Sequence, residues 1–341
     1  MTGLCRAVVV GVLALLAGCT STAILTSPST ARKPDCSTTN AVPWQAVVPG
    51  VWVWQPGSVG EISTANAGHV VPTSVVVSGS EALVIDPGPS HRHGLRVRDS
   101  LACRFGAQVR AVINTHAHAE NVLANSAFAD ALAAGQLDIL ANEGTRSAMQ
   151  QRCPACLASL SERAGEDAMA GTRIVWPSRV LQAGEVLRIG AHRLRVLPPA
   201  PGHTESDLVL WDETTRVVWA GGLVYDRRLP ELAQGGVDAW LSALDRIAAL
   251  QPRHAIGNAV SSAEGSQTLP PAMVATRAYL VDLRAAVLKA MDEGRYAGES
   301  GAIDMPAYKD WPGYDQRQGF NLQRAWREME PVWMERSPAT R

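Results

Sequence analysis

The chain is short of several features that would announce a function. It has no charge excess: 31 Lys and Arg stand against 32 Asp and Glu, a formal net charge of −1 over 341 residues. No basic stripe argues for nucleic acid, and no acidic block reads as a solvating tail. The apolar run near the start, Ala7 to Ala17, is shorter than the roughly 20 residues a membrane-spanning helix needs. No repeat of fixed period is present. Cysteine is limited to six residues and histidine to eight. What remains is an ordinary globular balance, 46% hydrophobic and 18% charged, with length enough for one large domain or two small ones.

The start, "MTGLCRAVVVGVLALLAGC", has one early cation, Arg6, and then the apolar run, so it reads as a signal peptide over residues 1–19. Its end, "LAGC", resembles the lipobox of bacterial lipoproteins. The resemblance implies cleavage before Cys19 and a diacylglycerol on its thiol, anchoring the protein without spanning the bilayer. Thr20, where Asp would hold such a protein at the inner membrane, points to the outer membrane and a periplasmic domain. The alternative is an ordinary secretory signal with a chance cysteine. With Cys5 and Cys19 set aside, Cys36, Cys103, Cys153 and Cys156 remain, an even count that suits disulfides in an oxidising compartment. "CPAC" at 153–156 can close locally, which leaves Cys36 to pair with Cys103. A redox motif at 153–156 and zinc binding by the four cysteines are the other readings.

Residues 20–45 are rich in Ser, Thr, Pro and Ala and read as a flexible tether, so the folded domain is expected over 46–341. From Trp52 strands alternate with turns. "HVVPTSVVVSGSEALVIDPGPS" predicts a hairpin, "HGLRVRDSLACRFG" a helix, and "AQVRAVINTH" a strand whose buried end delivers His116. "AENVLANSAFADALAAG" has helical spacing and ends at Gly135. A second β-rich half follows, then the helices "DAWLSALDRIAAL" and "PPAMVATRAYLVDLRAAVLKAMDEG" with the short strand "RHAIGN" between them. The order β-rich, α, β-rich, α predicts two sheets between helices, an αββα sandwich of class α/β.

The chemistry concentrates in "NTHAHAEN", residues 114–121. Side chains two apart share a face, so His116 and His118 aim the same way. Imidazole is a usual zinc ligand, and catalytic zinc takes three protein ligands with one position open. "PGHTESDLVLW" supplies a third candidate, His203, in a Gly-flanked turn.

With "LVIDPG", "NTHAHAEN", "PGHTESDLVLW", "WAGGLVY" and "HAIGN" in this order, the sequence resembles the metallo-β-lactamase fold superfamily over nearly the whole mature chain. Through "DPGPS", "NVLANSAF", "CPAC", "AMAGTRIV" and "NLQRAWREMEP" it looks most like the periplasmic quinoprotein relay system zinc metallohydrolases. The superfamily pattern is HxHxDH, a later His, a bridging Asp and a terminal His. His116, His118 and His203 match one metal site, while Glu120, Asn121, Gly222 and Asn258 stand where the second site has Asp, His, Asp and His. The resemblance thus implies one zinc ion, with the second site degenerate. Restoring Gly222→Asp, Asn121→His and Asn258→His is then expected to raise occupancy toward two. Asp226 is the nearest substitute bridge, although a solvated loop carboxylate is the plainer reading.

The expected activity is a zinc-dependent hydrolase acting on a small-molecule ester, thioester, lactone or amide. Glu120 would orient or deprotonate water, Asn121 and Asn258 would donate hydrogen bonds to the developing oxyanion, and Asp86 would hold the ligand loops. A periplasmic quinoprotein system is the implied partner. The rival reading is a non-catalytic binding module of the cell envelope.

Overall fold

The computed structural model describes residues 32–335 except 59 and 233. The expected signal segment, with Cys5 and Cys19, and the first part of the tether lie outside the described residues. The strands are β1 (Gln45–Val48), β2 (Val51–Trp54), β3 (Thr73–Ser78), β4 (Glu81–Ile85), β5 (Gln108–Ile113), β6 (Asp138–Ala141), β7 (Arg179–Val180), β8 (Val186–Ile189), β9 (His192–Val196), β10 (Leu210–Asp212), β11 (Val217–Gly221), β12 (His254–Gly257) and β13 (Val260–Ser262). The first seven form one sheet in sequence order, and the other six form a second in the order β13-β12-β11-β10-β9-β8. The helices are α1 (His91–Phe105), α2 (Ala119–Val122), α3 (Ala129–Ala133), α4 (Glu143–Ala164), α5 (Glu166–Met169), α6 (Val237–Ala248), α7 (Pro271–Asp292) and α8 (Tyr314–Met334).

Period-two alternation builds the layers. On β5, Ala111 and Ile113 face the second sheet, packing with Leu194, Leu210, Val217 and Trp219 in the core between the sheets. Val112 faces the other way, onto Val97 and Leu101 of α1. On β11, Val217 and Trp219 point inward while Val218 and Ala220 pack under α6, α7 and α8. Each sheet therefore covers one helical layer and the other sheet, the expected αββα sandwich. The predicted hairpin is β3–β4, antiparallel and closed at Gly79 and Ser80, and β4, β5 and β6 then run parallel. Parallel strands need crossovers, which α1 and the helical segments after His118 supply.

Three expectations are corrected. The domain begins at Pro34, not at residue 46. Val42 and Trp44 are buried, the Trp44 indole donates to Ser100 Oγ at 2.8 Å, and Cys36 is disulfide-bonded to Cys103 on α1. A tether-like composition hid this because two aromatic and aliphatic anchors and one covalent bond suffice to hold it. The helical stretch after His118 is broken, with a 3-10 turn over Leu123–Phe128. The side chains of Asn114 and Asn125 exchange hydrogen bonds of 3.0 and 2.8 Å there, and Gly94 of α1 packs tightly on the Ala124 carbonyl. Finally, Cys153 and Cys156 are free. Both lie within the continuous helix α4, three residues apart on one face, with their thiols in hydrogen-bond contact but not joined. Cys153 packs with Ala117, Val122 and Met149, while Cys156 packs beside Ala119, Leu123 and Leu160.

Breaking the Cys36–Cys103 bond frees a long loop in the unfolded chain, with a cost of about 2–4 kcal/mol. The Cys36→Ser/Cys103→Ser protein should melt several degrees below the oxidised protein. Equal melting temperatures would show that the packing of Val42 and Trp44 alone secures the tail. Among the described residues, no helix is long and apolar enough to cross a membrane.

Candidate metal centre

The site lies where several strands end. β5 ends at Ile113, and the chain then turns through Asn114, Thr115 and His116 into His118. Asn114 N–H donates to Leu140 O, and Leu208 N–H donates to Thr115 O, which ties this turn to both sheets. His203 sits in the loop between β9 and β10. Gly202 N–H donates to Thr204 O, and the Asp207 carboxylate accepts from Thr204 N and Oγ1, both at 2.9 Å. Burial pushes the Asp207 carboxyl up to about 6 against those hydrogen bonds.

The three predicted histidines come together. One ligating atom from each of His116, His118 and His203 lies within 4.8 Å of the others, and the ring centroids are 4.5–5.0 Å apart. Hydrogen bonding fixes which nitrogens are bare. His203 Nδ1–H donates to Glu231 O at 2.6 Å, leaving Nε2 without a proton. Thr115 Oγ1 donates to Asp86 Oδ2 at 2.6 Å, so it accepts from His116 Nδ1–H at 2.9 Å. His116 Nε2 is then bare, buried and without a hydrogen-bond partner. His203 Nε2 lies 3.1 Å from His118 Nδ1. Burial holds His116 and His203 well below the ordinary imidazole range, with the neighbouring His118 adding to it. Three imidazoles gathered around one point, two of them with a bare nitrogen and a supporting N–H held by a hydroxyl or backbone oxygen, are a donor set that suits a zinc-type cation. The residues fit a metal ion.

Asp86 sits at the head of this relay. It adopts the left-handed conformation, φ 51°, and its Oδ1 accepts from Thr115 N–H at 2.9 Å. Burial raises its carboxyl to about 7, with the Thr115 and Asn121 side chains working against the rise. Asp86 thereby holds Thr115, and Thr115 holds His116.

The remaining expected residues take definite places. Glu120 Oε1 lies 3.8 Å from His118 Nδ1, with the side chain 18% exposed. Asn121 and Asn258 are buried. The Asn121 side chain works to lower the pKa of the Asp86 carboxyl, and the Asn258 side chain that of the Tyr225 hydroxyl, against burial in both cases. Their Oδ1 atoms are buried and unpartnered. Gly222 packs against His203. A Cβ there would stand 2.1 Å from His203 Cδ2 and 2.9 Å from Nε2. This corrects the expectation that Gly222→Asp adds a ligand, because the imidazole fills the space such a side chain would cross. Asp226 is exposed and pairs with Arg227 at 3.5 Å, outside the cluster.

Several contributors were not foreseen in the sequence. Thr115 stands inside "NTHAHAEN" but has no ligand chemistry of its own. The Glu231 contact is a backbone carbonyl, which has no sequence signature. Tyr225 is buried with its hydroxyl 3.5 Å from His203 Nδ1. Arg228 is buried too, and its one hydrogen bond among the described residues, 3.3 Å long, goes to Val70 O. Its charge acts on both His203 and Tyr225. Two of the other histidines are tied into the fold: His93 stacks on Trp54 at 4.1 Å, and His192 pairs with the buried Asp212 at 2.8 Å.

Comparison with known proteins agrees with this architecture. The family model of the Metallo-beta-lactamase superfamily matches residues 67–137, which run from before β3 to the residue preceding β6 and include His116, His118 and Glu120. Among curated proteins, none matches the chain. Solved structures do. A metallo-β-lactamase from Pontibacter korlensis is 16% identical, with a TM-score of 0.50 over 70% of this chain and 98% of that one. One from Hirschia baltica is 14% identical, with a TM-score of 0.51 over 70% and 98%. One from Erythrobacter litoralis, holding β-mercaptoethanol in its active site, is 14% identical, with a TM-score of 0.51 over 70% and 96%. The chain has the metallo-β-lactamase fold, with three histidines gathered into a site compatible with a metal ion.

Proposed function

We propose that the protein is a zinc-dependent hydrolase working with a single metal ion on His116, His118 and His203. The observation that carries this reading is three imidazoles gathered around one point, with the other nitrogens of His116 and His203 tied to Thr115 and Glu231. A bound divalent ion would supply a Lewis acid that polarises a carbonyl and acidifies water. Glu120, partly exposed beside His118, is placed to take a proton from water at its carboxylate and return it to the leaving group. Asp86 and Thr115 fix the His116 ring, and Glu231 O fixes that of His203.

The second superfamily site is taken as degenerate. Asn121 and Asn258 replace imidazoles, and Gly222 replaces the bridging carboxylate. An amide oxygen is a poor ligand for a borderline metal. The motifs shared with the quinoprotein relay system zinc metallohydrolases support a role beside a periplasmic quinoprotein system. The "LLAGCT" segment supports lipid anchoring at Cys19 in the outer membrane, facing the periplasm. The test of activity is a screen of zinc-loaded protein on generic ester, thioester, lactone and β-lactam substrates. Turnover that is lost with a chelator and restored by zinc supports the hydrolase. Tight zinc binding with no turnover of any bond class favours the non-catalytic module. For the anchor, Cys19→Ala should move the protein from the membrane fraction to the soluble periplasm or leave it uncleaved. A mature-sized variant that still sediments with membranes would refute the lipid anchor.

A further inference from the structure

The C-terminal motif "NLQRAWREMEP" lies on α8 and has no part in the chemistry above. Its first residue, Asn321, is fully buried, and both polar atoms of its side chain are engaged. Nδ2 donates to Pro230 O and to Tyr279 Oη, both at 2.7 Å, and Oδ1 accepts from Leu232 N–H at 3.0 Å. These partners settle which end of the amide is which, because a backbone carbonyl only accepts and a backbone N–H only donates. They also bracket one residue, Glu231, whose carbonyl accepts from His203 Nδ1–H at 2.6 Å.

The peptide unit carries this contact to the metal centre. Glu231 C=O and Leu232 N–H belong to the same planar, trans unit, so the two groups point in opposite directions. Asn321 holds one edge of that plane and His203 meets the other. A chain of hydrogen bonds thus runs from Asn321 Oδ1 through the peptide to His203 Nδ1, each polarising the next. Turning the plane would carry the carbonyl off the imidazole. Other residues on the same face of α8 grip the same segment. Arg317 donates from Nε to Glu231 Oε2 at 3.1 Å and from Nη2 to Glu61 Oε2 at 2.9 Å. Arg324 Nη2 donates to Gly235 O at 3.0 Å, and Gly235 N–H donates to His203 O at 3.1 Å. His203 is held at its ring and at its backbone by a segment that α8 holds in turn.

We infer that α8 is a clamp for the ligand His203, and that Asn321 is a positioning residue that aims the Glu231 carbonyl at His203 Nδ1. This rests on the reading of His203 as a metal ligand and extends it to the C-terminal helix. A partner that holds the N–H of a ligating imidazole fixes its tautomer and orientation and raises its basicity, so a carbonyl that drifts weakens the hold on the metal.

The test reads zinc affinity, by competition with a chromophoric chelator, and the His203 Nδ1–H proton signal, by magnetic resonance of zinc-loaded protein carrying isotope-labelled histidine. Asn321→Leu keeps the size of the side chain and removes both contacts to the segment. It is expected to bind zinc roughly 10-fold more weakly, the lower end of the range for lost ligand support, and to move the Nδ1–H signal upfield as that hydrogen bond lengthens. Val287→Ala is the control for general loosening, because Val287 is buried on α7 in the same core. It should melt at a lower temperature and leave both readouts unchanged. An unchanged value of either readout in Asn321→Leu would overturn the clamp and leave the three-histidine centre standing. Equal changes in Val287→Ala would overturn it too. If Asn321→Leu does not fold, Arg317→Met decides: a loss of zinc affinity supports the clamp, and unaltered affinity overturns it. If the unaltered protein takes up no zinc, the hydrolase reading falls and the clamp falls with it.

Discussion

Gly222→Ala should bind zinc roughly 10–100-fold more weakly than the unaltered protein, the range seen when support for a ligand is disturbed. The backbone at Gly222 is not in the left-handed region, so the effect is one of space alone. The added Cβ would stand 2.1 Å from His203 Cδ2 and 2.7 Å from Cγ. The ring has little room to yield. Its Nδ1 is held by Glu231 O at 2.6 Å, and Trp240 and Tyr225 flank it with centroids 5.7 and 6.1 Å away. Overpacking of this kind also costs about 1–3 kcal/mol of stability. Gly222→Asp, with or without Asn121→His and Asn258→His, should therefore lose the first metal rather than gain a second. Competition against a chromophoric chelator measures it. Unaltered affinity in Gly222→Ala, or two metals in the triple variant, would mean that His203 moves aside freely.

His116→Ala and His203→Ala should each weaken zinc binding by more than the roughly 10–100-fold that loss of a supporting hydrogen bond costs, because each removes a donor outright. The folded state should survive, since the metal joins elements that are already packed. His116 follows β5, which is held between β4 and β6, and the His203 loop is closed by Thr204 and Asp207. Asp86→Asn should have a milder effect of the same sign, because Thr115 would lose its acceptor and with it the hold on His116 Nδ1. The measurement is zinc affinity alongside thermal unfolding. A His116→Ala protein that binds zinc as the unaltered protein does would remove it from the ligand set.

Much of this arrangement was legible in the chain because it follows from local periodicity. The alternation in "AQVRAVINTH" gave β5 and put His116 just past its end, and "PGHTES" gave the His203 turn. What escaped prediction depends on contacts distant in sequence. The tail from Pro34 has a linker composition, yet Trp44 finds Ser100, 56 positions away. "CPAC" carries the spacing of a local disulfide, but it lies inside the helix α4, where the two thiols meet as a hydrogen-bonded pair and stay free. Gly222 read as a missing ligand. In three dimensions it is the space that His203 occupies.

The central claim is a single metal ion on three histidines. Elemental analysis of the unaltered protein, purified without chelators and then supplied with zinc, tests it most directly. The expected result is close to one zinc per chain, held on His116, His118 and His203. Two tightly held ions would contradict the account by showing a second site that Asn121, Gly222 and Asn258 were taken to abolish, and no zinc at all would contradict it by showing that the imidazoles converge for another reason.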